Sequence, residues 1–515
     1  MSKSIKTNSI LNFLSGELGV IVVMITAFIV RTVFIKTLGT EYLGVNGLYS
    51  NILSVLSLTE LGFGTAMIYS MYSPLANNDM EKLAQLLKLY KKVYIIIGTI
   101  VLALGLLLVP FLDVLIKNKP DIDGLTFYYI LFLLNSVISY WFFAYRNSIL
   151  QADQKSYIVN NYTTLFSIIK AILQIILLVC FKSFTVYLIT QMVCTILQNL
   201  VLAIKVKKSY PVFDKKYKSK LPLNEKKKIF KDVRALLLQK VSFTILNSTD
   251  SLIISAFVGI NWVGLLSNYI MIEEAITSVL SQIIMSVSAS IGNLVAVDDK
   301  DRVYSFFNKI YFINYWLYSF SAIALFVLLN PFIELWIGDE FVVSKALVFA
   351  LVARFLMAGF MNTMSTFRSS FGLFTQGKYL PVAVALINIV LSIGLSYVWG
   401  AFGVIIATPI TRLIINAWHT PYVIYKCGFQ KSVKPFYVKC IGEVVLVGLI
   451  MLVMNFISNA VFANGVTILS FVIMVIITAL LPNLIMLAIF YKTQEFRYFK
   501  TFLFNAFNKI VGKNK

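Results

Sequence analysis

The chain of 515 residues is 59% hydrophobic and only 13% charged, where a soluble domain carries about 25% charged residues. That excludes a soluble globular enzyme and predicts an all-α polytopic membrane protein. The net charge of +22 is spread over alternate loops rather than gathered on one domain, which reads as positive-inside topology and not as nucleic-acid binding. With one histidine and four cysteines (Cys180, Cys194, Cys427, Cys440) that lack C-x-x-C spacing, neither a disulfide framework nor a metal cluster is supported, and no cofactor is expected.

Crossing about 30 Å of hydrocarbon takes roughly 20 apolar residues, and by that criterion about 14 segments qualify. In chain order their cores are 12–36, 42–72, 88–116, 125–150, 156–181, 184–205, 232–258, 263–294, 304–330, 341–372, 379–399, 401–425, 434–458 and 464–490. Several exceed the minimum, which implies tilt or extension beyond the bilayer. Lys3 and Lys6 precede the first run, but it extends to about Ile35 with no A-x-A site after it. It is therefore predicted to be a membrane helix rather than a cleaved signal peptide.

Basic residues follow the even-numbered segments. Lys82, Lys88, Lys91 and Lys92 follow the second, and Arg146 and Lys155 the fourth. Arg368 and Lys378 follow the tenth, Lys426, Lys431, Lys434 and Lys439 the twelfth, and Lys492, Arg497 and Lys500 lie in the tail. The opposite loops are short and poor in base, apart from Lys117 and Lys119 beside Asp121 and Asp123. Both termini are accordingly expected in the cytoplasm. The predicted organisation is a six-helix bundle at 1–206, a basic cytoplasmic linker at 207–230, and a second six-helix bundle at 231–428. Two further membrane helices at 429–491 and a basic amphipathic tail at 492–515 complete it. Lysines of the linker can also touch anionic headgroups.

The two bundles are repeats. RTVFIKTLGTEYLGVNGLYS at 31–50 returns as SLIISAFVGINWVGLLSNYI at 251–270, placing Gly39 on Gly259, Gly44 on Gly264 and Tyr49 on Tyr269. Pro110–Ile116 returns as Pro331–Ile337, and Arg146, Gln154 and Tyr157 return as Arg368, Gln376 and Tyr379. Six crossings per half make the repeats parallel, and such duplications place the substrate site at the seam of the halves.

A charge at the bilayer centre costs about 2.5–3.5 kcal/mol on insertion scales, so it usually faces a bundle interior or a water-filled cavity. Arg31, Lys170, Arg354 and Arg412 lie within apolar segments and are candidates for lining a cavity that receives an anion. Arginine suits phosphate because its planar fork holds two oxygens. The competing reading for each cation is a carboxylate partner or snorkelling to the interface. Among the acids, Glu60, Asp250, Glu273 and Glu274 are candidates for gating or for binding a coupling ion, Na⁺ or H⁺; an interfacial pair in water is the alternative for the adjacent Glu273 and Glu274. Pro409, close to Arg412, removes a backbone hydrogen bond and is a candidate hinge. Two decoys are set aside. Gly372–Lys378 fits G-x-x-x-x-G-K but has Tyr379 where Ser or Thr is required and no strand before it. Asp121-Ile-Asp123 lies in a loop too short to hold an acceptor.

The turn Leu38-Gly39-Thr40-Glu41-Tyr42-Leu43-Gly44, the run Leu58-Thr59-Glu60-Leu61-Gly62-Phe63-Gly64-Thr65-Ala66 and the turn Gln151-Ala152-Asp153-Gln154-Lys155 resemble bacterial polysaccharide (Wzx-type) flippases. These share a superfamily with MATE exporters and the lipid II flippase. The resemblance covers essentially the whole chain. It implies a V-shaped pair of bundles in the bacterial plasma membrane and no enzymatic activity. The implied cargo is an undecaprenyl-diphosphate-linked oligosaccharide for capsule, exopolysaccharide or O-antigen assembly, moved by ion-coupled alternating access. Membrane lipids, a polysaccharide polymerase and glycosyltransferases are the implied partners, and the last two helices would offer a groove for the lipid tail. The competing functions are a cation-coupled multidrug antiporter, a lipid II-type flippase, a membrane polymerase or glycosyltransferase, and a non-transporting scaffold. The deepest charges are basic, which argues against the first; an enzyme would need a sizeable extracytoplasmic loop.

Overall fold

A computed structural model describes residues 2–57, 63–117, 119–210, 212, 221–227, 229–230, 233, 244, 248–373, 376–377 and 379–501. Glu60 and most of the basic stretch between Lys205 and Lys240 lie outside the described residues. No strand occurs among the described residues. In chain order the helices are α1 (Ser2–Leu56), α2 (Phe63–Ala76), α3 (Met80–Leu108), α4 (Leu112–Leu115), α5 (Leu125–Trp141), α6 (Asn147–Ala152), α7 (Ser156–Phe181) and α8 (Phe184–Ser209). There follow α9 (Ser248–Val258), α10 (Ile260–Val297), α11 (Lys300–Ile337), α12 (Lys345–Ser370), α13 (Leu380–Val423), α14 (Lys434–Val461) and α15 (Ile468–Phe490). A short α16 covers 494–501.

Among the described residues ten helices are long and apolar enough to cross a membrane, and the bent pair α5 with 144–152 makes an eleventh. Two of the ten hold a reversal. α1 breaks at Gly39 (φ 84°), and Phe34 and Tyr42, on either side of it, both pack on Phe184. α13 breaks at Gly400 (φ 57°), and Asn388 before the break donates to Thr408 Oγ1 after it (3.1 Å). Each glycine takes a positive φ that a Cβ would oppose. With α9 as a further short apolar helix, the crossings agree with the expectation of about 14.

The chain divides into two compact units, 1–264 and 265–515. The boundary between the units falls inside α10, and the seventh segment is tied into the first unit. Ser248 Oγ meets Ser54 Oγ at 3.3 Å, Ser255 Oγ donates to Leu115 O at 2.6 Å, and Lys117 Nζ donates to Phe257 O at 2.5 Å. Ser255 and Phe257 lie on a π-turn at Ile254–Val258, whose wider ring frees carbonyls for outside donors: Lys117 Nζ uses Phe257 O and Lys117 N uses Ser255 O (3.1 Å). Gly44 and Gly264, counterparts in the repeat, touch: a Cβ on Gly44 would lie 2.5 Å from Ile260 O, and one on Gly264 2.7 Å from Thr40 O. Small residues let two helix backbones approach this closely.

The repeat is structural scaffold elsewhere too. Tyr49, fully buried, donates to Leu125 O (3.0 Å) at the start of α5. Its counterpart Tyr269, also fully buried, donates to Asn330 Oδ1 (2.8 Å) and accepts from Val343 N (3.1 Å) just before α12. Arg146 and Arg368 each donate to a backbone carbonyl, of Ala203 and Leu373 respectively. Beyond the sixth segment, burial and a hydrogen bond to Asp153 Oδ2 (2.7 Å) hold the Tyr210 phenol above its ordinary pKa.

The core of the second unit is aromatic: Phe307, Tyr311, Phe367, Tyr425, Phe429 and Phe436 are buried together. Tyr311 and Trp316 on α11 also anchor the two additional helices. Tyr311 Oη donates to Glu443 Oε2 (2.7 Å) on α14, and Trp316 Nε1 to Asn483 Oδ1 (2.9 Å) on α15. Buried amphipathic rings use their polar tip when the rest is packed.

Candidate functional site

In the first unit, α1 and α7 run side by side in the same direction. Asn12 Oδ1 accepts from Tyr157 N (2.7 Å), Asn160 Nδ2 donates to Ser15 Oγ (3.3 Å), and a Cβ on Gly19 would meet Thr164 Oγ1. Asn160, Thr163, Ser167, Lys170 and Gln174 recur every three or four residues, so they fall on one face of α7. Gln198 Nε2 on α8 donates to Thr163 Oγ1 (3.2 Å), and Gln174 Nε2 to Tyr187 O (3.4 Å). Both basic candidates of this unit sit along that polar seam. Lys170 lies within electrostatic reach of the Cys194 thiol, and Arg31 within reach of the Tyr187 phenol. Both side chains are half-buried. A seam of amides and hydroxyls carrying two cations at membrane depth can take up phosphate or acidic sugar oxygens.

Asp250 is buried in α9, 3% exposed, one turn before the π-turn. Nothing places it beside a metal; among the described residues no group of three or more His, Cys, Asp or Glu converges on one point.

In the second unit Arg354 and Glu273 are brought together. Arg354 Nη2 lies 2.5 Å from Glu273 Oε2 and Nε lies 3.3 Å from Oε1, with side chains 15% and 11% exposed. Arg354 is therefore half of a forked, largely buried pair joining α12 to α10, the alternative weighed for it in the sequence, rather than a bare cation. Glu273 is likewise committed to that pair, while Glu274, one residue on, is exposed. Arg412 is half-buried on the limb of α13 after Gly400, one turn beyond the buried Pro409.

Two features escaped sequence reasoning. Glu443, 5% exposed, lies among Tyr311, Cys440 and Lys439; its i, i+4 spacing from Lys439 was the available signal. The second is a neutral polar face on α13. Asn388, Ser392, Thr408 and Thr411 are all at most 1% exposed, and Asn388 Oδ1 and Ser392 Oγ find no hydrogen-bond partner among the described residues. Ser392 is the repeat counterpart of Lys170, so the seam that carries charge in one half carries a hydroxyl in the other. The i, i+4 spacing of Asn388, Ser392 and Ser396 was legible as a stripe, but not its burial.

The helical architecture defines a polytopic membrane protein. Solved structures share that fold. The lipid II flippase MurJ in an inward closed conformation is 18% identical with a TM-score of 0.65, over 94% of this chain and 99% of that one. An inward-facing multidrug resistance MATE family transporter is 15% identical with a TM-score of 0.60, over 83% and 95%. A mutant of the Vibrio cholerae MATE transporter VcmN is 16% identical with a TM-score of 0.55, over 83% and 98%. No curated protein matches the chain. Residues 10–289 match the polysaccharide biosynthesis protein family, more than half of the chain, and the chain belongs to that family.

Proposed function

We propose that the protein carries an undecaprenyl-diphosphate-linked oligosaccharide across the bacterial plasma membrane for capsule, exopolysaccharide or O-antigen assembly, by ion-coupled alternating access. The observation that carries this reading is the polar seam of the first unit, where Arg31 and Lys170 stand at membrane depth in a chain of the polysaccharide biosynthesis family. A diphosphate needs cations where water is scarce, and amides beside them suit sugar hydroxyls. Arg412 is a further cation for the same cargo, and Pro409 beside it lacks the N–H that would stiffen its helix. With Glu273 committed to Arg354, Asp250 is the acid we assign to the coupling ion, Na⁺ or H⁺. The basic loops are assigned to the cytoplasm, with both termini.

The test is export of surface polysaccharide in a deletion strain complemented with variants of equal membrane abundance. Arg31→Gln and Lys170→Gln are expected to cut export at least about tenfold, the loss of one charge-assisted contact of about 1.5–3 kcal/mol each. Asp250→Asn is expected to flatten the dependence of export on pH or Na⁺. Wild-type export from the Arg31 and Lys170 variants refutes the assignment of the seam.

A further inference from the structure

The end of α15 and the following α16 line an open cavity of about 590 Å³ formed by Leu484, Leu487, Ala488, Tyr491, Phe496, Arg497 and Lys500. Its two walls differ in chemistry. Leu484, Leu487 and Ala488 are exposed on the last turns of a membrane-spanning helix, so this wall is continuous with the lipid-facing surface. Arg497 and Lys500 stand beyond the end of that span, on the other wall. Among the described residues neither makes an ion pair.

The rotation of α16 is set by packing. Thr493 Oγ1 accepts from Phe496 N (3.2 Å) and caps the helix. Phe496 and Phe499 each lie 5.6 Å from the Trp316 ring, and Phe499 is 5% exposed. Arg497 and Lys500 follow these aromatics by one residue each, so burying the rings turns the cations about 100° away, toward the cavity. The basic pair is thus held in place by an apolar anchor on α11.

A soluble anion would satisfy the cations and leave the leucine wall bare. An uncharged lipid would cover the leucines and leave the cations facing an apolar group. An amphiphile with an anionic head answers both walls, and the volume falls within the usual range of ligand sites. We infer that this cavity is a binding site for an anionic glycerophospholipid, with the phosphodiester on Arg497 and Lys500 and the upper acyl chain along Leu484, Leu487 and Ala488. The site lies apart from the seam assigned to the transported cargo, and its occupant is a resident lipid that clips α16 to α15.

Native mass spectrometry of the full-length protein in uncharged detergent, titrated with phosphatidylglycerol, phosphatidylcholine or inorganic phosphate, tests the site. Phosphatidylglycerol is expected to bind in preference to phosphatidylcholine. The double variant Arg497→Gln, Lys500→Gln is expected to weaken it about thirtyfold, roughly fivefold for each basic side chain. Ala488→Phe fills the apolar wall while keeping both cations and is expected to produce a comparable loss; it checks the site independently should the double variant misfold. Equal binding of the two lipids, full occupancy by phosphate alone, or unchanged phosphatidylglycerol binding in the variants overturns the inference.

Discussion

The Arg354–Glu273 pair makes a quantitative demand on stability. Its two contacts, 2.5 and 3.3 Å, are forked, and both side chains are nearly enclosed. Charge centres about 4 Å apart attract by about 4 kcal/mol at an effective dielectric constant of 20. Removing one partner strands the other: Arg354→Met or Glu273→Leu alone is expected to cost about 3–5 kcal/mol, because the remaining charge stays buried without compensation. Replacing both with apolar residues of similar size removes the desolvation cost along with the attraction, so the double variant is expected to return to within about 1 kcal/mol of wild type or to exceed it. The assay is a double-mutant cycle in mixed micelles, unfolding by SDS and following intrinsic fluorescence, with a coupling energy of at least about 5 kcal/mol expected. Single variants that unfold at the wild-type SDS fraction, or a double variant whose loss is the sum of the singles, refute the reading of this pair as a buried staple.

The glycine contact in the first unit predicts that Gly44→Val and Gly264→Val each cost about 1–3 kcal/mol or more, since a Cβ would be driven against backbone. Gly442→Ala, with nothing within 4 Å of its Cβ, is expected to gain about 0.5–1 kcal/mol by the same SDS titration; a tolerant Gly264 would show that the helices are not held at that distance. Tyr311→Phe is expected to lose about 1–3 kcal/mol by leaving the buried Glu443 carboxyl without its 2.7 Å donor. Adding Glu443→Met should recover most of that loss, and failure to recover would show that the pair does not act as a unit.

Much of this architecture was legible in the sequence because it rests on local quantities. The length of apolar runs marks the spans. The repeated Gly39/Gly259, Gly44/Gly264 and Tyr49/Tyr269 follow from backbone conformation and close approach, which only certain residue types permit. The mid-membrane charges break the repeat, as Lys170 against Ser392 does. The tertiary structure decided the partners. Arg354 and Glu273 stand 81 residues apart, so no local pattern shows which of the cations at membrane depth an acid neutralises. Glu443 drew no notice in the sequence, because its partner Tyr311 lies on another helix 132 residues away. The hydrogen bonds from the seventh segment to Ser54 and Leu115 likewise join residues far apart in the chain. A charge in a membrane segment is visible in one dimension, whereas its compensation depends on which helix faces it.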